Sequence, residues 1–345
     1  MTQTKSTRRL WLGAAALGIF SSVLLVGCSD KKSAQPPQAA ASATPEPVKL
    51  EAIKVRLAWV ADMAEVGVFV AKEQGFFEKE GLDVTIEPGG FGLDPFKLVA
   101  TGANEFGVGG AGNLLLARAQ GVPVVAIAAE FQETPVGFIA RTKGGIKDFK
   151  GFKGKRVGIQ TGTDTDVLYR ALLVKNGMSS KDVREVPIQF DMTPFLSGAI
   201  DVLPGYVTNQ PITLRGKGEQ VTVITAASQG LSYYGNVFFT TEDRIAKSPE
   251  QVAKFARAVR AGWKHALENK ADAVSALQKY TKDFDPKDLD QIYDAVIPFI
   301  RGNAGAEVLS MTPEKWETTS KVLIDAGLLK SAPALDRAYT VQFLK

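Results

Sequence analysis

Short apolar segments with the pattern of strands alternate with segments of helical pattern through most of the chain, and this alternation constrains the fold more than any other feature. Residues 53–59 have the pattern of a strand, 65–74 that of a helix stopping at Gly75, and 82–86 that of a second strand. Strands joined through helices usually lie parallel in one sheet whose two faces are covered by helices. The sequence therefore predicts an α/β fold with mostly parallel strands.

The alternation starts again after Gly154 and then gives way to helices alone. Residues 156–160 are predicted to form a strand and 164–176 a helix. Ser248 is a suitable N-cap and Pro249 suits a first helical position, so a helix is predicted to begin there. The predicted C-terminal helices are 249–268, 271–280, 286–301 and 313–326. About 300 foldable residues usually exceed one hydrophobic core, which indicates two lobes.

The first 28 residues have the pattern of a secretory signal. Three basic residues precede an apolar run over 10–27, and Cys28 is the only cysteine of the chain. Residues 25–28 resemble the lipobox of bacterial lipoproteins, in which the cysteine is acylated and becomes the mature N-terminus. We therefore predict a signal peptide over 1–27, a membrane anchor on Cys28 and a flexible tether over 28–49. The alternative is an uncleaved membrane helix.

Composition excludes several classes of function. One cysteine and one histidine cannot supply a Cys/His zinc site, an iron–sulfur ligand set or an intrachain disulfide. Removal of residues 1–27 would leave 38 basic residues beside 37 acidic ones. No positive excess then favours nucleic acid, and the lysine-rich segment 143–156 is interpreted as solvated surface. We predict a monomer with no metal, no cofactor and no nucleic-acid partner.

Two candidates for enzymatic chemistry are weak. His265 follows Trp263 by two residues, about 200° around the helix from the apolar stripe, and is expected to face solvent. Residues 107–112 match the G-x-G-x-x-G of dinucleotide-binding proteins, but the helix that follows is short for that fold. The favoured interpretation is a glycine-rich loop whose backbone N–H groups approach a ligand at the start of a helix.

Polar and aromatic side chains collect in the loops after predicted strands. Because open α/β sheets bind ligands at the carboxyl ends of their strands, these loops are expected to line a cleft between lobes. Aromatic faces stack on a flat heterocycle and carboxylates accept hydrogen bonds from its amino groups, whereas grouped carboxylates would repel a sulfonate or nitrate. The candidate ligand-binding residues are Trp59, Asp62, Glu65, Gly110, Asn113, Glu130, Gln132, Thr161, Gly162, Thr163, Asp191, Tyr206, Asn209 and Tyr234.

Four segments carry a resemblance to a known family. The most specific is GVFVAKEQGFFEKEGLDV at 67–84, and the others are 105–109, 148–158 and 205–211. Over about 50–345 the chain resembles extracytoplasmic solute-binding proteins of ABC importers, in the branch that binds thiamine-pyrimidine precursors, riboflavin, alkanesulfonates or taurine. One departure is Gln210, which stands where relatives often carry an acid in G-Y-x-x-N-E-P.

The resemblance implies a two-lobed periplasmic-binding-protein fold of type II, the Venus-flytrap fold, with a helical C-terminal region. Lobe 1 would comprise 50–140 plus 240–345, and lobe 2 would comprise 141–239. Closure over one small-molecule solute would create the surface presented to an ABC permease. The positions that fall where this branch touches its ligand are Trp59, 110–113, Gln132, 161–163, Asp191, Tyr206 and Asn209.

The sequence thus predicts an extracytoplasmic lipoprotein that captures a small flat heterocycle, with a thiamine pyrimidine precursor as the first candidate. Riboflavin, an alkanesulfonate, taurine or nitrate are alternative solutes, and a nucleotide-dependent enzyme or a sensory lipoprotein are alternative classes. The branch also resembles the eukaryotic thiamine-pyrimidine synthase. That chemistry requires an active-site histidine and a cysteine-rich iron motif, which the single His265 and single Cys28 do not provide.

Overall fold

The computed structural model describes residues 49–90, 92–189, 191–302, 307–331 and 333–344, which belong to one compact unit. The predicted signal peptide, Cys28 and nearly all of the predicted tether lie outside the described residues. Among the helices of the described part, none is long and apolar enough to cross a bilayer.

Ten strands in the described residues form two five-stranded sheets. In chain order they are β1 Glu51–Arg56, β2 Leu82–Glu87, β3 Phe106–Gly110, β4 Val124–Ala129, β5 Val136–Arg141, β6 Arg156–Ile159, β7 Arg184–Pro187, β8 Val202–Tyr206, β9 Val221–Thr225 and β10 Asn236–Thr241.

The α-helices cover both sheets and form the C-terminal region. They are α1 Val66–Glu73, α2 Phe76–Lys79, α3 Pro95–Ala100, α4 Ala111–Ala119, α5 Asp164–Lys175, α6 Thr193–Leu196, α7 Gln210–Gly216, α8 Glu242–Lys247, α9 Pro249–Glu268, α10 Lys270–Tyr280, α11 Pro286–Arg301, α12 Pro313–Asp325 and α13 Leu335–Ala338.

The order of strands is β2-β1-β3-β10-β4 in the first sheet and β7-β6-β8-β5-β9 in the second. The α/β prediction is confirmed, but the sheets are mixed because β10 and β5 run antiparallel to their neighbours. The six-residue connection 130–135 leads from the end of β4 in the first sheet into β5 of the second, with no helix between them.

The chain crosses between the sheets at 130–135 and again at 226–235. The predicted lobe boundaries, 140/141 and 239/240, therefore fall inside β5 and β10. The division into two lobes itself stays a prediction.

Close backbone packing joins α1 to α9 beneath the first sheet. The apolar stripe predicted for α9 is confirmed, because Val252, Phe255, Val259 and Trp263 are all buried. A Cβ on Gly67 would overlap the Trp263 indole, and a Cβ on Gly262 would overlap the backbone oxygen of Gly67. These two glycines let the helices approach closely enough to seat the indole between them.

We predict that Gly262→Ala destabilises the protein by about 1–3 kcal/mol, because the added methyl group overpacks the contact between α1 and α9. In a helix interior, alanine is otherwise more favourable than glycine by roughly 1 kcal/mol. A loss of stability in Gly262→Ala would therefore be attributed to overpacking. Urea unfolding measures the change. Gly144→Ala is the control, since a Cβ there meets nothing within 4 Å. Equal stability of the two variants would contradict the prediction.

Candidate functional site

The two sheets meet where β3, β4, β6 and β8 end and β10 begins. Two side-chain hydrogen bonds join them at this place. The hydroxyl of Tyr206, the last residue of β8, donates to Asn236 Oδ1 at 3.3 Å. The amide Nδ2 of Asn113 in α4 donates to Asp164 Oδ1 of α5 at 2.9 Å. The segments that carry Asn113, Asp164, Tyr206 and Asn236 thus converge on this meeting point, where open α/β sheets commonly bind ligands.

Three carboxyl groups are buried at the ends of β1 and β4. Asp62, Glu65 and Glu130 are 7%, 1% and 0% exposed, so water cannot solvate their charges. Asp62 accepts from the Ala64 backbone N–H at 2.6 Å and begins the 3-10 turn Met63–Glu65. Glu65 shares a hydrogen bond with Asp62, which requires a proton on one of the two carboxyl groups.

Burial raises the pKa of all three carboxyl groups. The rise is largest for Glu65 and Glu130, where desolvation acts first and the neighbouring Asp62 adds like-charge repulsion. For Asp62, desolvation also dominates, and hydrogen bonds from Glu65 and Ala64 oppose it. The group therefore favours neutral carboxylic acids, or a ligand that brings positive charge or N–H donors.

The carboxyl oxygens of Glu130 have polar neighbours but no hydrogen-bond partner among the described residues. Trp263 and Asn236 face its carboxyl group and partly offset the rise in its pKa. Neither closes to a full hydrogen bond, however. Within the described residues, both Glu130 oxygens, Trp263 Nε1 and Asn236 Nδ2 are buried without a partner. Buried polar atoms normally find partners, so this group is a place where a bound molecule would supply them.

Asp164 of the second sheet's α5 lies directly against the first sheet's α4. Its carboxylate occupies the space that a Cβ on Gly110 would need. Burial raises the pKa of Asp164 to about 6. The same negative charges act on Tyr206, whose pKa is raised first by burial and then by Asp164 and the buried carboxyl groups. The meeting point of the sheets is therefore acidic throughout.

Comparisons with known proteins agree with this architecture. A family model described as NMT1/THI5 like matches residues 63–273, more than half of the chain. The chain belongs to the NMT1/THI5-like family.

Among curated relatives, a riboflavin-binding protein of Chloroflexus aurantiacus is 28% identical over 96% of this chain and 98% of its own length. A 4-amino-5-hydroxymethyl-2-methylpyrimidine phosphate synthase of Schizosaccharomyces pombe is 26% identical over 64% and 66%. A formylaminopyrimidine-binding protein of Halalkalibacterium halodurans is 26% identical over 66% and 70%. The predicted resemblance is confirmed.

Solved structures confirm the periplasmic-binding-protein fold. The alkanesulfonate-binding protein SsuA of Xanthomonas axonopodis pv. citri superposes with a TM-score of 0.66 over 86% of this chain and all of that chain. The identity is 14%, so this likeness concerns the fold alone.

In this family member the loop after β6 is largely occupied with its own contacts. Thr161 and Gly162 are exposed, and the Gly162 N–H donates to Asp166 Oδ2 at 3.1 Å. Thr163 precedes α5 without a side-chain cap, and its hydroxyl donates to Gln160 O at 2.6 Å. Ligand contact by Thr161, Gly162 and Thr163 stays a prediction.

Three other predicted contacts have structural roles. Gln132 Nε2 donates to the carbonyls of Ala129 and Ser310. The exposed Asp191 accepts from the Thr193 backbone N–H at 2.8 Å. Tyr234 is a core residue. Its hydroxyl accepts a hydrogen bond from the backbone N–H of Thr312, the N-cap of α12. Their contact with a ligand is untested.

Trp59 and Asn209 lie in loops at strand ends, as predicted. Trp59 follows β1 and is partly buried. Asn209 precedes α7, and its Oδ1 is buried without a partner among the described residues. Both remain predicted ligand contacts.

Sequence reasoning left out three residues that the structure brings to the site: Asp164, Asn236 and Trp263. Asp164 follows β6, and Asn236 pairs with Gly110 at the end of β3, so both lie at strand ends like the predicted residues. Trp263 gave no such signal, because it belongs to an apolar helical stripe. The expectation for His265 was wrong: the ring is partly buried, and its Nε2 lies 2.7 Å from Asp272 Oδ2. Asp272 lies in α10, which packs back against α9 and covers the ring.

The described residues contain no group of three or more His, Cys, Asp and Glu side chains arranged to hold a metal ion. Of the buried carboxyl groups, that of Glu130 instead faces the Trp263 N–H and the Asn236 amide. The arrangement therefore suits an organic ligand that offers hydrogen-bond donors.

We predict that Gly110→Ala destabilises the described arrangement by about 1–3 kcal/mol, because the new methyl group and the Asp164 carboxylate compete for one space. Asp164→Gly in the same chain should restore most of that stability. Thermal or urea unfolding of the two single variants and the double variant forms a double-mutant cycle. Additive effects would show that the two residues are not in contact.

We predict that stability declines from about pH 4 to pH 7 and that Asp164→Asn reduces the decline. A pKa of about 6 in the folded state, above the ordinary 3.8, stabilises the fold at low pH, and this contribution is lost as pH rises through 6. Urea midpoints across this range measure it. The control is Asp191→Asn, because the hydrogen bond from Thr193 lowers the pKa of Asp191. An unchanged slope for Asp164→Asn would contradict the prediction.

Proposed function

We propose that the chain is the solute-binding component of an ABC import system and that its solute is a small flat heterocycle with amino groups, of the thiamine-pyrimidine-precursor type. One observation carries the proposal: Glu130 and Glu65 are buried between the two sheets with carboxyl oxygens that have no partner in the described part of the chain. Such oxygens accept hydrogen bonds from exocyclic amino groups and ring N–H groups.

The charge of the site argues for this class of solute. Asp62, Glu65, Glu130 and Asp164 are acidic, and each has a raised pKa. A sulfonate or nitrate brings acceptors rather than the missing donors, and any of these carboxyl groups that is ionised would repel it. An amino heterocycle would instead replace the missing donors and relieve the desolvation of the carboxyl groups. The sulfonate-binding structural relative shares the fold without making a sulfonate the favoured solute.

Riboflavin is the second candidate. The similarity to the riboflavin-binding protein covers nearly the full length of both chains, whereas the formylaminopyrimidine-binding protein matches over about two thirds. A flavin ring is also flat, and its carbonyl oxygens would accept hydrogen bonds from carboxylic acids kept neutral by burial.

In the proposed mechanism no bond is made or broken. Aromatic side chains stack on the solute, and the carboxyl groups fix its orientation. The bonds Asn113–Asp164 and Tyr206–Asn236 hold the two sheets together, so solute binding favours this closed arrangement through its differential affinity. The synthase relatives leave an enzymatic role as the competing class. Against it, the only histidine is paired with Asp272 and the only cysteine is Cys28.

The remaining assignments follow from the family and the sequence. We propose an extracytoplasmic location, a lipid anchor on Cys28, a monomeric state and delivery of the solute to an ABC permease. Support comes from relatives that are binding proteins and from the signal-like pattern of residues 1–28.

The proposal is tested by thermal shift and calorimetry with aminopyrimidines, riboflavin, alkanesulfonates, taurine and nitrate. We expect an aminopyrimidine to raise the melting temperature, since a ligand stabilises by RT ln(1 + [L]/Kd). Glu130→Gln should weaken its binding on the order of 10- to 100-fold, because a charge-assisted hydrogen bond is lost. The control is Glu317→Gln, at an exposed position on α12.

A shift with riboflavin alone would select the second candidate. A shift with sulfonates alone would show that the charge argument is wrong. Turnover of the bound heterocycle would assign the chain to the enzyme class.

A further inference from the structure

One edge of the second sheet carries a concentration of positive charge. The candidate site lies where β6 and β8 end, so the opposite edge is where β6, β7, β8 and β9 begin and β5 ends. The connections 142–155, 176–183 and 217–220 run along this opposite edge, which we call the basic edge. Its exposed cationic residues are Lys143, Lys147, Lys150, Lys153, Lys175, Lys181, Arg184 and Lys217.

The acids at the basic edge are too few to neutralise these cations. Asp148 and Asp182 accept hydrogen bonds from Gly151 and from Ser179, and so complete local turns. Asp201 and Glu219 pair with Arg156 and Arg141, which are not among the eight exposed cations. Within the described residues, none of the eight forms an ion pair. The basic edge therefore carries a net positive charge.

The corresponding edge of the first sheet is different, although the two sheets are built alike. Glu51 pairs with Lys254, Glu80 with Arg257, and Glu105 with Arg244. Glu242, just after β10, pairs with Arg118 and Arg337. Each of these acidic side chains therefore forms an ion pair with a neighbouring basic side chain. On a chain with nearly equal numbers of acids and bases, a group of eight exposed cations without ion pairs thus lies on the second sheet, at the edge away from the acidic site.

We propose that the basic edge binds the surface of a membrane containing anionic phospholipids. Separate lysines on several connections suit a diffuse sheet of negative charge better than one bidentate ligand. Phe149 and Phe152, the aromatic residues of this edge, are buried. Binding is therefore peripheral and mainly electrostatic, without insertion of an aromatic anchor.

The proposal rests on the extracytoplasmic, membrane-anchored location proposed above, but not on the identity of the solute. A flexible tether of about 20 residues spans about 25 Å on average, which keeps the folded part close to the bilayer. Contact through the basic edge would hold the protein at the membrane surface while it is not docked on the permease. The sequence-based interpretation of 143–156 as simply solvated surface is then incomplete.

The test uses the chain from residue 28 with Cys28→Ser, so that no acyl chain can contribute. We expect it to co-sediment with vesicles of 30% phosphatidylglycerol in phosphatidylcholine at low salt, to bind pure phosphatidylcholine poorly and to dissociate as salt rises. Lys143→Glu, Lys147→Glu and Lys150→Glu together should weaken vesicle binding at least ten-fold, because each basic residue near an anionic surface contributes about five-fold.

The matched control reverses three exposed lysines elsewhere, Lys264, Lys282 and Lys330, and changes the net charge by the same amount. It should retain vesicle binding. Absence of vesicle binding, or equal loss in both triple variants, would overturn the proposal. Thermal shift with the solute should be unchanged in both triple variants. A failure of the solute-binding proposal would therefore be visible separately from a failure of this one.

Discussion

The burial of Asp62, Glu65 and Glu130 where the two sheets meet is the constraint on which the rest of the site depends. Carboxyl groups withdrawn from water must be neutralised, hydrogen-bonded or paired with a ligand, since each isolated charge would cost several kcal/mol. The Asp62–Glu65 hydrogen bond partly satisfies two of these groups, whereas both carboxyl oxygens of Glu130 have no hydrogen-bond partner among the described residues. A site left in this state is suited to a solute that brings donors.

Packing at a distance maintains this state. The Trp263 indole reaches Glu130 because Gly67 and Gly262 allow α1 and α9 to approach each other closely. A larger residue at either glycine would move the indole and change the environment of the carboxyl group. The environment of Glu130 in the site thus depends on how closely α1 and α9 pack.

The two sheets use charge differently. The site joins acidic groups from both sheets, whereas the basic edge of the second sheet collects lysines that have no acidic partners among the described residues. Each connection lies at one end or the other of the strands. The buried acids lie at the end that forms the site, and the lysines of the basic edge lie at the opposite end. The proposed attraction for an amino heterocycle at one end and the proposed attraction for anionic lipid at the other would both follow from one distribution of charge.

The sequence by itself determined what depends on neighbouring residues. Ser248-Pro249 located the start of α9, the apolar stripe identified its buried face, and strand-end loops indicated where Asp62, Glu65, Glu130 and Tyr206 would gather. Only the tertiary structure decided that β5 and β10 run antiparallel, that Asp164 lies against Gly110, and that Trp263 and Asn236 face Glu130. Those features join residues distant in sequence, and burial and pKa shifts arise from such contacts rather than from the pattern of adjacent residues. His265 shows the same limit, because its helix alone predicted an exposed ring and a second helix covered it.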